Sequence, residues 1–121
     1  MIQAQIIHNA STLEYYFEEG CFITEWSNSA LDDAASVAQA RVAPGATTRR
    51  HRLLGVTERY VILTGVGRVE VGDLAPAVVD AGDVVVIPPD VAQRITNIGA
   101  VDLVFLAICT PRFRREIYQD V

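Results

Sequence analysis

From residue 35 onward the chain is a series of short apolar runs, broken at close intervals by glycine and proline. The runs are 35–42 (ASVAQARV), 58–64 (ERYVILT), 67–71 (GRVEV), 77–80 (AVVD), 83–87 (DVVVI), 92–97 (AQRITN) and 102–109 (DLVFLAIC). The breaks fall at Pro44-Gly45, Gly65, Gly67, Gly72, Gly82, Pro88-Pro89, Gly99 and Pro111. Valine and isoleucine dominate the runs, and β-branched side chains suit a pleated, half-buried surface. Short strands at this spacing predict an all-β sandwich or barrel rather than alternating β/α units. A further strand is expected at 21–26. Ser11-Thr12-Leu13-Glu14 has the serine-to-glutamate spacing of a capping box, so it opens either a short helix or a loop. Residues 111–120 (PRFRREIYQD) read as a short helical or irregular tail across the outside of the barrel, or as a solvated charged end. With no repeat, linker or low-complexity stretch, residues 1–121 form one domain.

Alternate residues of a strand share a face. His51 and Leu53 therefore point one way. Glu58, Tyr60 and Ile62 share a face of the next strand, and Gln93 and Ile95 share a face of a third. Arg59, Val61 and Leu63 point the opposite way. Val61 and Leu63 need cover, from a second sheet or from a partner subunit, and the expected assembly is a homodimer.

Composition narrows the function classes. At 121 residues, half of them apolar, the chain can bury one core. No apolar run approaches the roughly 20 residues that span a bilayer. The first twenty residues lack a basic region and a long apolar region, so the expected location is cytoplasmic, with no membrane partner. The net charge of −5 and the absence of any basic run argue against nucleic acid. All ten basic side chains are arginine, which removes Schiff-base chemistry and a phosphate-loop lysine. Cys21 and Cys109 have no paired spacing and read as buried small apolar residues.

Two spaced motifs sharpen the picture. Gly45, His51, Leu53, Glu58 and Gly65 are separated by five, one, four and six residues. Gly82, Pro88, Asp90, Gln93 and Asn97 are separated by five, one, two and three. In this order and spacing the chain resembles a small single-domain bacterial member of the cupin superfamily. The resemblance implies a double-stranded β-helix, or jelly-roll barrel, with a small-molecule ligand inside. It also implies a divalent metal (zinc, manganese, iron or nickel) held by His51, Glu58 and Gln93. The departures are marked: Leu53 stands where the family places a second histidine, Gln93 where it places another, and Asp90 where it places a glycine.

Three readings of the polar set remain open. In the first, His51, Glu58 and Gln93 hold a metal with waters. In the second, His51 and Glu58 form a hydrogen-bonded acid–base pair, joined by Tyr60 as a donor, for isomerase- or epimerase-like chemistry. In the third, the polar groups satisfy one another and the barrel is a non-catalytic binding or scaffold module. Leu53, Gln93 and Ile95 are expected to line the ligand site. Thr47, Thr48, Arg49 and Arg50 sit at the expected rim; Arg50 can meet an anionic group there, or the whole turn is solvated. Tyr60 is otherwise a packed aromatic. The Cys109 thiol can approach His51 if its face is inward, Arg112 can cap the mouth, Arg94 faces outward, His8 is exposed, and Trp26 belongs to core or interface.

Overall fold

A computed structural model describes residues 2–121. Among them are eleven strands: β1 (Tyr15–Phe17), β2 (Cys21–Ser27), β3 (Ser36–Val42), β4 (His51–Leu53), β5 (Thr57–Thr64), β6 (Gly67–Val71), β7 (Ala77–Val79), β8 (Val84–Ile87), β9 (Gln93–Asn97), β10 (Leu103–Thr110) and β11 (Tyr118–Asp120). They form two antiparallel sheets, in the orders β1-β2-β3-β10-β5-β8 and β11-β4-β9-β6-β7. The all-β sandwich or barrel expected from the runs is present, with the two packed sheets that the jelly-roll resemblance implies, and each expected run lies within about a residue of a strand.

Burial follows the two-residue period. In β5, Glu58, Tyr60 and Ile62 are buried while Arg59 and Val61 are only partly so. In β9, Gln93, Ile95 and Asn97 are buried and alternate with half-buried Arg94 and Thr96. The inward rows of both sheets meet in one core that includes Val42, Ile62, Val69, Ile87, Ile95, Leu103 and Phe105. Asn97 ties the sheets together at one end. Its amide nitrogen donates to the Val42 and Val101 carbonyls, and its oxygen accepts from the Gly99 amide. The second sheet covers only the inward face, so Leu63, Val84 and Val86 remain exposed on the other. Trp26 is half-buried on the outward phase of β2, not in the core, and His8 is exposed.

At the N-terminus the loop alternative is the one that forms, and the C-terminal tail departs in part from expectation. No helix forms at 11–14. The Glu14 carboxylate binds Arg41 at 2.7 and 3.0 Å instead of capping the Ser11 amide, and Leu13 is exposed, leaving no apolar stripe to bury. The C-terminal tail is only briefly helical, in a 3-10 turn at Arg115–Ile117. It then pairs as β11 with β4, placing Tyr118 opposite Leu53 and Asp120 opposite His51. The tail is therefore a sheet strand beside the first motif, an outcome its sparse apolar content conceals. No helix among the described residues is long and apolar enough to cross a membrane.

Gly65 and Gly82 separate two costs of a left-handed turn. Both have positive φ, +87° and +92°. A Cβ on Gly82 meets open space, whereas one on Gly65 would lie 2.7 Å from the Asp102 carbonyl oxygen and 2.8 Å from the Leu103 Cα. Gly82→Ala is expected to cost about 1 kcal/mol through backbone strain alone. Gly65→Ala should cost roughly 2 kcal/mol more, because backbone must move. Urea denaturation of the two variants checks this; equal losses would contradict it.

Candidate active site

Against the inward face of the six-stranded sheet, toward the end of the barrel marked by β1, β2 and the start of the C-terminal tail, lies a cavity of about 60 Å³. Strands β5 and β10 and one turn supply the Glu58 end of its polar wall. Glu58 enters from β5 and Cys109 from β10, and the two are paired across the ladder. Tyr60 follows Glu58 on the same face. Glu19 comes from the turn between β1 and β2, where Gly20 adopts φ +103° and the Glu19 carbonyl accepts the Arg49 amide at 2.6 Å. The rest of the wall is largely apolar, with Ile23, Ala40, Phe105 and Ala107 among its members.

Glu58 is 7% exposed and makes two side-chain contacts. Gln93 donates its amide nitrogen to Oε1 at 2.6 Å, and the Cys109 thiol donates to Oε2 at 3.6 Å. The Tyr60 hydroxyl in turn donates to the Gln93 amide oxygen. Each group thus fixes the next, and the chain ends on a carboxyl that borders the cavity. Burial pushes the Glu58 pKa up to about 7, against the lowering effect of the bonds from Gln93 and Cys109 and of the nearby Tyr60 hydroxyl. Burial also raises the Tyr60 hydroxyl and the Cys109 thiol, with the Glu58 charge adding to both. Neither ionises near neutrality, so Cys109 is not a thiolate nucleophile here.

A second polar group lies behind the first. His51 faces Glu19, with Nε2 3.1 Å from Oε2. Its Nδ1 is 2.7 Å from the Arg49 carbonyl, which can only accept, so Nδ1 carries the hydrogen and Nε2 is the acceptor. Burial lowers the His51 pKa, opposed by the Arg49 carbonyl and the charge of Asp120. Burial, then the charge of Glu58, raises Glu19 to about 8, against the Cys21 thiol, which donates to Oε1 at 3.1 Å. At neutral pH the pair is therefore a carboxylic acid donating to a neutral imidazole. The ring stacks on Tyr118 from β11, centroids 4.9 Å apart at 20°.

The structure brings Glu58, Tyr60 and Gln93 into one network, and sets His51 against Glu19 instead of Glu58. The Cys109 thiol meets Glu58, not His51. Glu58 and Tyr60 border the cavity; Gln93 acts from behind Glu58, and Ile95 lies fully buried in the main core. Leu53 packs in a smaller cluster with Val56 and Cys109, against Phe113 and Tyr118. Arg50 is exposed and borders a surface crevice with Glu70 and Arg94. Thr48 is no solvated rim residue: it is buried and accepts the Ile95 amide at 3.0 Å. Arg112 lies at the cavity's outer groove, bound to Asp33 at 2.7 Å. Glu19 escaped the sequence reading, since a glutamate in a polar EEG turn carries no strand-phase signal.

The donor set does not fit the divalent metal that the family pattern implies. Leu53 offers no donor. The Gln93 amide is engaged at both ends, and the His51 nitrogen that would face a metal is held by Glu19. Among the described residues no three His, Cys, Asp or Glu side chains converge for one.

Comparison with known proteins agrees with this architecture. The family model described as a cupin domain matches residues 38–109. The chain is similar to a predicted oxalate decarboxylase of Thermotoga maritima, with 22% identity over 88% of this chain and 99% of that one, at a TM-score of 0.78. It is similar to the nucleoside dehydratase Pac13, of Streptomyces, with 16% identity over 98% and 92% and a TM-score of 0.76. KdgF from Halomonas sp. gives 14% identity over 94% and 98%, with a TM-score of 0.79. At these identities the likeness is one of fold. Among curated proteins, none matches by sequence.

Two outcomes follow from the geometry. Glu58 and Glu19 ionise near 7 and 8 in the folded chain but near 4.5 when unfolded. Between pH 5 and 8 these two carboxyls leave the folded state with more protons than the unfolded one, opposed below about pH 6.5 by the single lowered His51, and stability falls as pH rises. For Glu58 alone the loss is on the order of 3 kcal/mol. Chemical denaturation across that range should show the decline, and Glu58→Gln should make it shallower; a flat or rising wild-type profile contradicts the assignment. Protein purified without an affinity tag should carry well under one equivalent of divalent metal and melt at the same temperature with or without added zinc or manganese. A full equivalent that disappears in Glu58→Gln would overturn the misfit.

Proposed function

The chain belongs to the cupin family, and from that premise we propose that it is a metal-independent acid–base cupin, moving a proton on a small metabolite held against Glu58. The observation that carries this reading is a buried carboxyl bordering a largely apolar cavity and held in one orientation by a dedicated amide. A group that titrates near neutrality can both take and return a proton, the condition for general acid–base work. Gln93 orients Glu58 through Nε2, and Tyr60 fixes the Gln93 amide so that its nitrogen, not its oxygen, faces the carboxyl. The apolar wall keeps water from competing for the proton. In such a step Glu58 removes a proton from an acidic carbon of the ligand and returns it, on the same face, to a neighbouring atom. This is the isomerase-like class; epimerase-like chemistry would need a second proton donor on the far face of the ligand. A nucleoside dehydratase on a similar fold supports a barrel of this size as a setting for small-molecule chemistry.

A binding-only reading has one observation in its favour. Among the described residues, every buried side-chain polar atom already has a partner, as in a network built to brace strands. The proposal also retains a cytoplasmic homodimer, supported by the apolar outward side chains Leu63, Val84 and Val86 that a second copy would cover.

Hydrogen exchange at carbon separates turnover from binding whatever the substrate is. The protein is incubated in D2O with a pool of small metabolites, and deuterium gain at carbon is read by mass spectrometry. At least one compound should gain a single non-exchangeable deuterium, at a rate reduced about 100-fold or more in Glu58→Gln. A ligand that is retained by the protein yet gains no deuterium would establish the binding-only reading instead.

A further inference from the structure

The cavity wall has an unusual electrical composition. It contains three carboxyl groups, Glu19, Glu25 and Glu58, and no arginine or histidine; the chain has no lysine. Arg112, Arg114 and Arg115 border the wider groove outside. Each is already paired: Arg112 and Arg114 with Asp33, at 2.7 and 3.4 Å, and Arg115 with Glu18. An anion entering the cavity would lose its water and meet no cation, which is strongly unfavourable.

The neutral polar groups of the wall are equally committed. The Tyr60 hydroxyl donates to Gln93, and Ser36 Oγ accepts the Phe113 amide at 2.9 Å. Asn28 donates to the Phe113 carbonyl at 2.9 Å and accepts from Arg112 at 3.2 Å. The Tyr15 hydroxyl reaches Glu25 at 3.4 Å. What the wall offers beyond these bonds is chiefly lone pairs on the Glu25 and Glu58 carboxyl oxygens, Glu58 being mostly ionised above pH 7, and these ask for a donor. A ligand rich in hydroxyl acceptors would leave several unsatisfied. Around the carboxyls stand aromatic side chains: Tyr15, Phe17 and Phe113 toward the mouth, Tyr60 and Phe105 deeper in. Tyr60 and Phe105 are in contact, their ring centroids 4.3 Å apart. Aromatic faces beside carboxylates are the surroundings in which an ammonium group is stabilised once it loses water.

We propose that the cavity is selective for a small organic cation: an ammonium group on a short apolar body, held by Glu58 and Glu25 among aromatic walls, with carboxylates and phosphates excluded. This assignment rests on the reading of the cavity as the ligand site, and adds to it the chemical class of the ligand. It places the positive group of the ligand against the same carboxyl that is assigned the proton transfer.

Three probes of one shape isolate charge from size: isobutylammonium, isobutanol and isobutyrate. Each is titrated into the full chain at pH 7.5, with binding followed by protein NMR shifts of residues bordering the cavity. Isobutylammonium should bind about tenfold or more tightly than isobutanol, and isobutyrate should give no saturable shift. Glu25→Gln, a half-buried position at the mouth, should fold normally and weaken the ammonium several-fold while leaving isobutanol unchanged. Glu58→Gln should abolish the preference for ammonium over alcohol. Isobutyrate binding as tightly as the ammonium, or equal affinity for ammonium and alcohol, overturns the proposal and leaves the acid–base reading standing. Saturable binding of none of the three overturns both. Retained ammonium selectivity with no deuterium transfer to any metabolite removes only the acid–base reading.

Discussion

A carboxyl group taken out of water must either lose its charge or be met by donors. Glu58 is placed between these outcomes. Its strand alternation turns it inward, burial works against its charge, and Gln93 and Cys109 supply just enough donation to keep ionisation within reach of neutral pH. The surrounding structure serves that compromise. β9 brings Gln93 within 2.6 Å, β10 supplies the thiol, and the neighbouring rungs of β5 add Tyr60 to orient the amide. A stronger donor set, such as a guanidinium, would fix Glu58 as a permanent anion; a fully apolar one would fix it as a permanent acid.

The same constraint explains why His51 is turned elsewhere. Two carboxyls near one cavity repel when charged, and the charge of Glu58 is among the causes that raise Glu19. Glu19 keeps its proton and donates it in a hydrogen bond to His51 Nε2, an arrangement that needs the imidazole neutral and its Nδ1 hydrogen committed to the Arg49 carbonyl. Three distant parts of the chain meet to make this possible: the β1–β2 turn, the start of β4 and the C-terminal β11, whose Tyr118 stacks on the ring. The C-terminal tail is thus part of the site's support.

Family membership and departure from the family pattern are reconciled by the same residues. The glycine, proline and β-branched spacing preserves the barrel, because it answers to turns and strand phase. Leu53 and Gln93 change the interior without touching that spacing. Leu53 joins an apolar cluster with Val56 and Cys109, and Gln93 becomes the donor that a buried carboxylate requires. The interior is organised around hydrogen bonds to the Glu58 carboxyl.

The limits and inward phase of the strands between residues 21 and 110 were legible in the sequence, since period-two burial and turn residues are local properties; β1 and β11 were not. So were the inward positions of His51, Glu58, Tyr60 and Gln93. The partners of those side chains were not. Which carboxyl His51 meets depends on a turn 32 residues upstream, where Glu19 reads as ordinary polar loop. The strand character of 118–120 depends on an open edge of β4 that only the assembled sheet presents. Likewise the apparent helix signal at 11–14 lost to an ion pair with Arg41, a residue on β3. The sequence by itself determined the barrel and the face on which each candidate lies, because alternation and turns act between near neighbours. The tertiary structure alone decided who bonds to whom, because hydrogen bonds and burial in a barrel join residues that chain order keeps far apart.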